Sequence, residues 1–224
     1  MTDFIARRNR IAAAFDAVTE RWLNRQPPAD AETMARIRAG ELHPENPRAT
    51  WAAVAKLAAF QPGERHLDVG CGAALLTIPQ LRAARTAYFG VDVSTRTLAV
   101  TARRADGLFR GLCAADGANI PFADGTFALV TAVGVSEFLP AEYLLSVLKA
   151  VKRVLAPGGR LVMDFLDGAT TGAEHSRQLE AARGLEIFIH SYADVDALAA
   201  VAGLMVARSV TSERRTVHRM VRGG

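Results

Sequence analysis

The stretch that decides the fold is Leu67-Asp-Val-Gly-Cys-Gly-Ala-Ala-Leu-Leu-Thr77, followed by a second short apolar run that ends in an acid at Val91-Asp92-Val93. His66 to Val69 reads as a buried strand, Gly70 and Gly72 permit a tight turn with unusual backbone angles, and the residues after Ala73 read as the start of a helix. Such a junction leaves backbone N–H groups facing outward at a helix start, which suits a polar ligand. Asp92 lies 22 residues beyond Gly70. That is the separation at which a second parallel strand delivers a carboxylate beside the first turn, where it can accept both hydroxyls of a ribose.

A dinucleotide fingerprint needs a third glycine at position 75, where this chain has Leu75. The pattern with an acid before the first glycine, Asp68-Val69-Gly70-Cys71-Gly72, instead resembles the first motif of class I S-adenosylmethionine-dependent methyltransferases of the small-molecule type. Three further blocks resemble that family in order and spacing. They are Val91-Asp92-Val93-Ser94, the stretch Ala115-Asp116-Gly117 through Phe127, and Leu155-Ala156-Pro157-Gly158-Gly159-Arg160-Leu161. The resemblance extends over roughly residues 46–222.

The resemblance implies a Rossmann-like α/β fold: a doubly wound, mostly parallel seven-stranded sheet that ends in an antiparallel hairpin. It also implies S-adenosylmethionine as cofactor, with S-adenosylhomocysteine as product. Carried over residue by residue, Asp68 would face the ammonium of the cofactor's tail, and Gly70, Cys71 and Gly72 would let the backbone approach. Asp92 would take the ribose hydroxyls and Asp116 the adenine amino group. Val93 with Gly117 or Ala118 would sandwich the ring, and Val133 and Gly134 would pass the methionine portion. The chain departs from the family at Ala74, at Ala128, and at Ser136-Glu137-Phe138, where an obvious catalytic histidine is missing.

At 224 residues the chain can bury a core without disulfides. Cys71 and Cys113 form no Cys-x-x-Cys pair that would suggest a metal or redox site, which fits a cytoplasmic protein. There is no apolar run of membrane-spanning length and no signal-like start, so no membrane insertion is expected. Net charge is +4; the basic residues are dispersed and nearly all Arg, densest in Arg7-Arg8-Asn9-Arg10 and in Arg214, Arg215, Arg219 and Arg222. Aromatics are only 7% of residues, which argues against a nucleic-acid surface and for solvated faces.

Three helices are expected before the glycine turn, over 3–25, 30–39 and 46–60, with Asp30 as a cap, Gly40 as a stop and Pro27-Pro28 closing the first. The first has an apolar face of Phe4, Ile11, Phe15, Val18 and Trp22. The third presents Trp51, Val54, Leu57 and Ala58 and is expected beside strand one. Residues 1–45 therefore read as a helical extension or lid, and 46–224 as the methyltransferase domain. Strands are expected near 66–69, 87–92, 109–114, 127–133 and 160–165, alternating with helices near 75–84, 95–105 and 141–155. Residues 168–184 have no clear pattern, 186–190 read as extended and 192–202 as a helix. Segments 204–211 and 216–222 form the closing hairpin.

Methyl transfer is an in-line displacement with a neutral leaving group, so alignment and desolvation can supply much of the catalysis. If a base is used, Glu137 and His190 are the candidates by position. An Asn-Pro-Pro-Tyr type tetrapeptide after strand four is absent, which favours a small-molecule acceptor. The alternatives are a nucleic-acid or protein methyltransferase and a non-catalytic binding module. Both a monomer and a homodimer fit the sequence.

Overall fold

The computed structural model describes residues 2–26, 31–41, 47–73, 78–169, 171–212 and 214–223. Asp30, Asn46, Ala74, Leu75, Glu213 and the Pro27-Pro28 pair lie outside them, as do the side chains of Phe4 and Trp22. In chain order the elements are α1 (Thr2–Leu23), α2 (Ala31–Arg38), α3 (Pro47–Ala58), β1 (Arg65–Val69), α4 (Ile78–Ala84), β2 (Ala87–Asp92), α5 (Thr95–Ala105), β3 (Phe109–Ala114) and β4 (Phe127–Ala132). A 3-10 turn (Ser136–Phe138) precedes α6 (Ala141–Val154) and β5 (Leu155–Leu166). Then come α7 (Thr171–Ala181), α8 (Tyr192–Val201), β6 (Leu204–Thr211) and β7 (Arg215–Arg222).

The seven strands lie in the order β3-β2-β1-β4-β5-β7-β6. β1 pairs in parallel with β2 and β4, β2 with β3, and β4 with β5, while β7 is antiparallel to both β5 and β6. Only β7 therefore runs against the rest, as expected of the closing hairpin. The chain reverses its direction of travel across the sheet at β1, which both starts one half and borders β4 of the other. A crevice opens at that switch point, at the carboxyl ends of the strands.

The two faces are covered by different helices. Leu144, Val147, Leu148 and Val151 of α6 and Val195 and Ala199 of α8 share one apolar cluster with Leu67, Val130, Leu161 and Met220. On the opposite face Ala53, Val54, Leu57 and Ala58 of α3 pack on Leu129, Val162 and Val217. The α3 face expected from the sequence is thus buried, but over β4, β5 and β7 rather than beside β1. Arg160 sets that position: it donates to the carbonyls of Ala58 (2.5 Å) and Ala59 (3.1 Å) at the end of α3 and pairs with Glu64 at 2.8 Å. A cation satisfying the last carbonyls of a helix is stabilising there.

The remaining differences are local. β5 begins at Leu155, five residues earlier than read from the sequence. α7 was not expected at all, since its polar face offers little apolar periodicity. Residues 186–190 form no strand, because their backbone leaves the sheet and Phe188 N bonds the Glu137 carbonyl at 2.7 Å. α8 starts with a capping box in which Ser191 and Asp194 bond each other's backbone.

Candidate functional site

The β1 to α4 turn is built by two positive-φ glycines, Gly70 (71°) and Gly72 (51°). At Gly70 a side chain is excluded, because a Cβ would stand 2.5 Å from Val135 Cγ2. The turn borders a cavity of about 360 Å³ at the carboxyl ends of β1, β2 and β4, roofed by Arg7, Arg8, Ile11, Phe15, Val18 and Thr19 of α1. Of the expected binding residues, Asp68, Gly70, Cys71, Gly72, Asp92, Val93, Asp116, Gly117, Val133 and Gly134 all line it. Ala118 does not line it. Its amide instead donates to Asp116 Oδ1 at 2.9 Å, closing a local turn.

Each acid is held by its own partners. Asp92 accepts from the Gly72 amide at 2.9 Å and the Ser94 amide at 2.8 Å, so β2 is tied to the glycine turn. Each oxygen keeps a further lone pair. Ser94 is the N-cap of α5 and accepts from Thr97 N at 2.9 Å, and its hydroxyl also bonds Asp16 of α1. Burial raises the Asp92 carboxyl above its usual range, against the opposing pull of those amides. Asp116 Oδ2 accepts from the Tyr143 hydroxyl, and burial first, then this carboxylate, hold that phenol well above the ordinary range.

Asp68 sits deepest, at 3% exposure. Tyr88 donates to its Oδ2 at 2.6 Å and Thr131 to its Oδ1 at 2.7 Å. Since Thr131 gives its proton to Asp68, His66 Nε2, 2.8 Å from the same hydroxyl, must be the donor. That fixes the tautomer of a histidine whose burial, helped by Arg160, lowers its pKa to about 3. Burial pushes Asp68 up to about 6, more than the two hydroxyls pull it back.

A folded-state pKa above the unfolded value means that stability is full below the unfolded pKa and is lost as pH rises through about 6. Asp68→Asn should therefore unfold at a higher urea midpoint than the parent protein at pH 8, by roughly 2–3 kcal/mol. The gap should close as the pH is lowered towards 4, and equal midpoints at pH 8 would show that Asp68 carries no desolvation cost.

Two expectations are corrected. Glu137 does not line the cavity: it is 5% exposed and accepts from Arg215 Nη2 at 2.7 Å. The same guanidinium donates to Asp164 Oδ2 at 2.9 Å, and Asp164 Oδ1 accepts from the Gly134 amide at 2.8 Å. The acid is thus locked beneath the strand-four turn. His190 also faces away from the cavity, its Nε2 2.9 Å from the Leu139 carbonyl. Conversely, Tyr143, Trp51 and Phe138 line the cavity and were not assigned to it from sequence, while Ile11, Phe15 and Val18, on the α1 face read as part of a lid, line it too. Tyr143 lies in the first turn of α6, where no local pattern marks it out.

Residues 67–163 match the family model for a methyltransferase domain. An uncharacterized methyltransferase of Synechocystis sp. (strain ATCC 27184 / PCC 6803 / Kazusa) is 34% identical over 105 residues. The match covers 45% of this chain and 46% of that protein, so it spans about half the length of the relative. Among solved structures, magnesium protoporphyrin IX methyltransferase from Synechocystis PCC 6803 with bound SAH has a TM-score of 0.69 at 20% identity, covering 97% of this chain and 100% of that chain. With bound SAM it scores 0.67 at 20% identity, covering 97% of each. Likeness at that identity carries the fold.

Proposed function

We propose that this chain, whose residues 67–163 carry a methyltransferase domain on a Rossmann-like methyltransferase fold, binds S-adenosylmethionine in the cavity under α1 and passes its methyl group to a small-molecule acceptor. The observation that carries the reading is the convergence of Asp68, Asp92 and Asp116 from three strand ends on one cavity beside the glycine turn. The donor set fits the ligand: carboxylates for an ammonium, a diol and an amino group, and a backbone that approaches closely. Gly134 adds a cradle, for a Cβ built on it meets no atom within 4 Å, and Gly134 lines the cavity. The SAH-bound and SAM-bound neighbours support the same ligand class.

Once bound, the cofactor supplies an electrophilic methyl group whose leaving group departs neutral. This chain's residues then have three tasks. Asp92 accepts the ribose hydroxyls on its remaining lone pairs, Asp116 faces the adenine edge, and Asp68, pinned by Tyr88 and Thr131, offers its charge to the tail ammonium. Val93 and Gly117, which line the cavity, would flank the ring. Ile11, Phe15, Val18, Trp51 and Phe138 exclude water, which favours a displacement that depends on alignment. With Glu137 and His190 turned away, we assign the rate to positioning rather than to a dedicated base.

A polymer acceptor is disfavoured by the terminal Arg group. Arg215 is buried between Glu137 and Asp164, and Arg222 donates to the Leu155 carbonyl, so these charges do not form one stripe beside the cavity.

Asp92→Ala should weaken SAH binding about 10- to 100-fold, as expected for losing charge-assisted bonds to a diol. Calorimetry on the folded variant checks this. Unchanged affinity would remove Asp92 from the site.

A further inference from the structure

The methyl-transfer reading above assigns no role to the two cations of the cavity, and the inference below rests on that reading. The three acids in the wall have both oxygens engaged: Asp68 by two hydroxyls, Asp92 by two amides, and Asp116 by an amide and the Tyr143 hydroxyl. The cations among the described lining residues are Arg7 and Arg8, and both ride on α1. Arg7 donates from Nη2 to Glu186 Oε2 at 2.5 Å and lies 4.4 Å above the Phe188 ring. Its carboxylate partner is 73% exposed while Arg7 itself is 14% exposed, so the pair lies at a water boundary. Arg8 is half-buried and lines the cavity together with Asp116 and Tyr143, and its hydrogen bond among the described residues is a 3.3 Å contact to neighbouring Asn9.

Beside these guanidinium groups the wall is apolar: Ile11, Phe15, Val135, Phe138 and Leu139. Whatever water reaches a guanidinium on such a wall, 14% exposed in the case of Arg7, is lost when a ligand enters. A neutral apolar acceptor would strip that water and give nothing back, at a cost of several kcal/mol. A carboxylate replaces it with charge-assisted, bidentate bonds. We propose that the acceptor is an apolar carboxylic acid, a compact hydrocarbon or aromatic body with one carboxylate and a separate hydroxyl, amine or thiol that takes the methyl group and gives its proton to solvent, and that Arg7 and Arg8 of α1 bind that carboxylate.

The test is calorimetry on the full chain, first with SAH and then with three probes of one skeleton: 3-phenylpropionate, 3-phenylpropionamide and 3-phenylpropylamine. The acid should bind the SAH complex about tenfold or more tightly than the amide and the amine. Arg7→Gln combined with Arg8→Gln should abolish that preference while SAH affinity stays within about threefold, which also reports that the variant is folded. A loss of SAH affinity beyond about tenfold in the double variant would mean that the arginines serve the cofactor's own carboxylate, and the proposal falls. It falls equally if acid, amide and amine bind alike, or if none binds while SAH does. Failure of SAH itself to bind sinks the methyl-transfer reading as well, and is seen before any probe is added.

Discussion

Deleting residues 1–25 should lower methyl transfer about 100-fold or more while weakening SAH binding by no more than about tenfold, because positioning and exclusion of water alone are worth several kcal/mol. The roof is fastened along its length. Asp16 bonds Ser94, Thr19 Oγ1 lies 3.0 Å from Thr97 Oγ1, Glu20 pairs with Arg96, and the Phe15 ring meets Phe138 edge-on at 5.5 Å. These contacts hold α1 to the start of α5 on one side and to the 3-10 turn on the other. On the proposed reading the cofactor rests chiefly on the strand ends beneath, with Val18 and Thr19 lining the cavity from above. Since truncation uncovers Phe138 and Leu139, Phe15→Ala provides a milder version and should reduce turnover in the same direction with SAH affinity retained. A soluble truncation with undiminished turnover would remove α1 from the acceptor site.

Arg215→Met should destabilise the protein by about 3–5 kcal/mol, the loss typical of stranding buried charges. Glu137 and Asp164, at 5% and 0% exposure, both depend on this guanidinium for neutralisation. Asp164 in turn holds the Gly134 amide, so the same change should loosen the strand-four turn that lines the cavity. Urea unfolding measures the first effect. Adding Glu137→Gln and Asp164→Asn to Arg215→Met should recover much of the stability, because the stranded charges are then gone. A midpoint unchanged by Arg215→Met alone would mean that water reaches these carboxylates in the folded protein.

The fold and the wall of acids and glycines along the cavity were legible because both are written in local pattern. Asp68, Gly70, Gly72 and Asp92 sit at fixed offsets on short apolar runs, and a parallel strand pair brings those offsets together wherever it forms. The partners that hold the acids were not legible, since Tyr88, Thr131 and Asp16 reach them from other elements. Glu137 was misread for the same reason: an acid after strand four looks available until Arg215, 78 residues further on, is brought beneath it. His190 lies near the expected edge of the sheet, but its orientation follows from a hydrogen bond to Leu139 that no spacing encodes. The apolar stripe of α1 was visible as a face in need of a partner, and Arg7 and Arg8 beside it were visible only as a charge run.

The central claim, that the cavity under α1 holds S-adenosylmethionine and transfers its methyl group to a small molecule, is tested most directly with methyl-labelled S-adenosylmethionine, the full chain and a cell extract split into small-molecule and polymer fractions. We expect label in the small-molecule fraction with the parent protein, and a drop to background with Asp92→Ala. Label confined to the polymer fraction, or none in a protein that binds SAH, would contradict it.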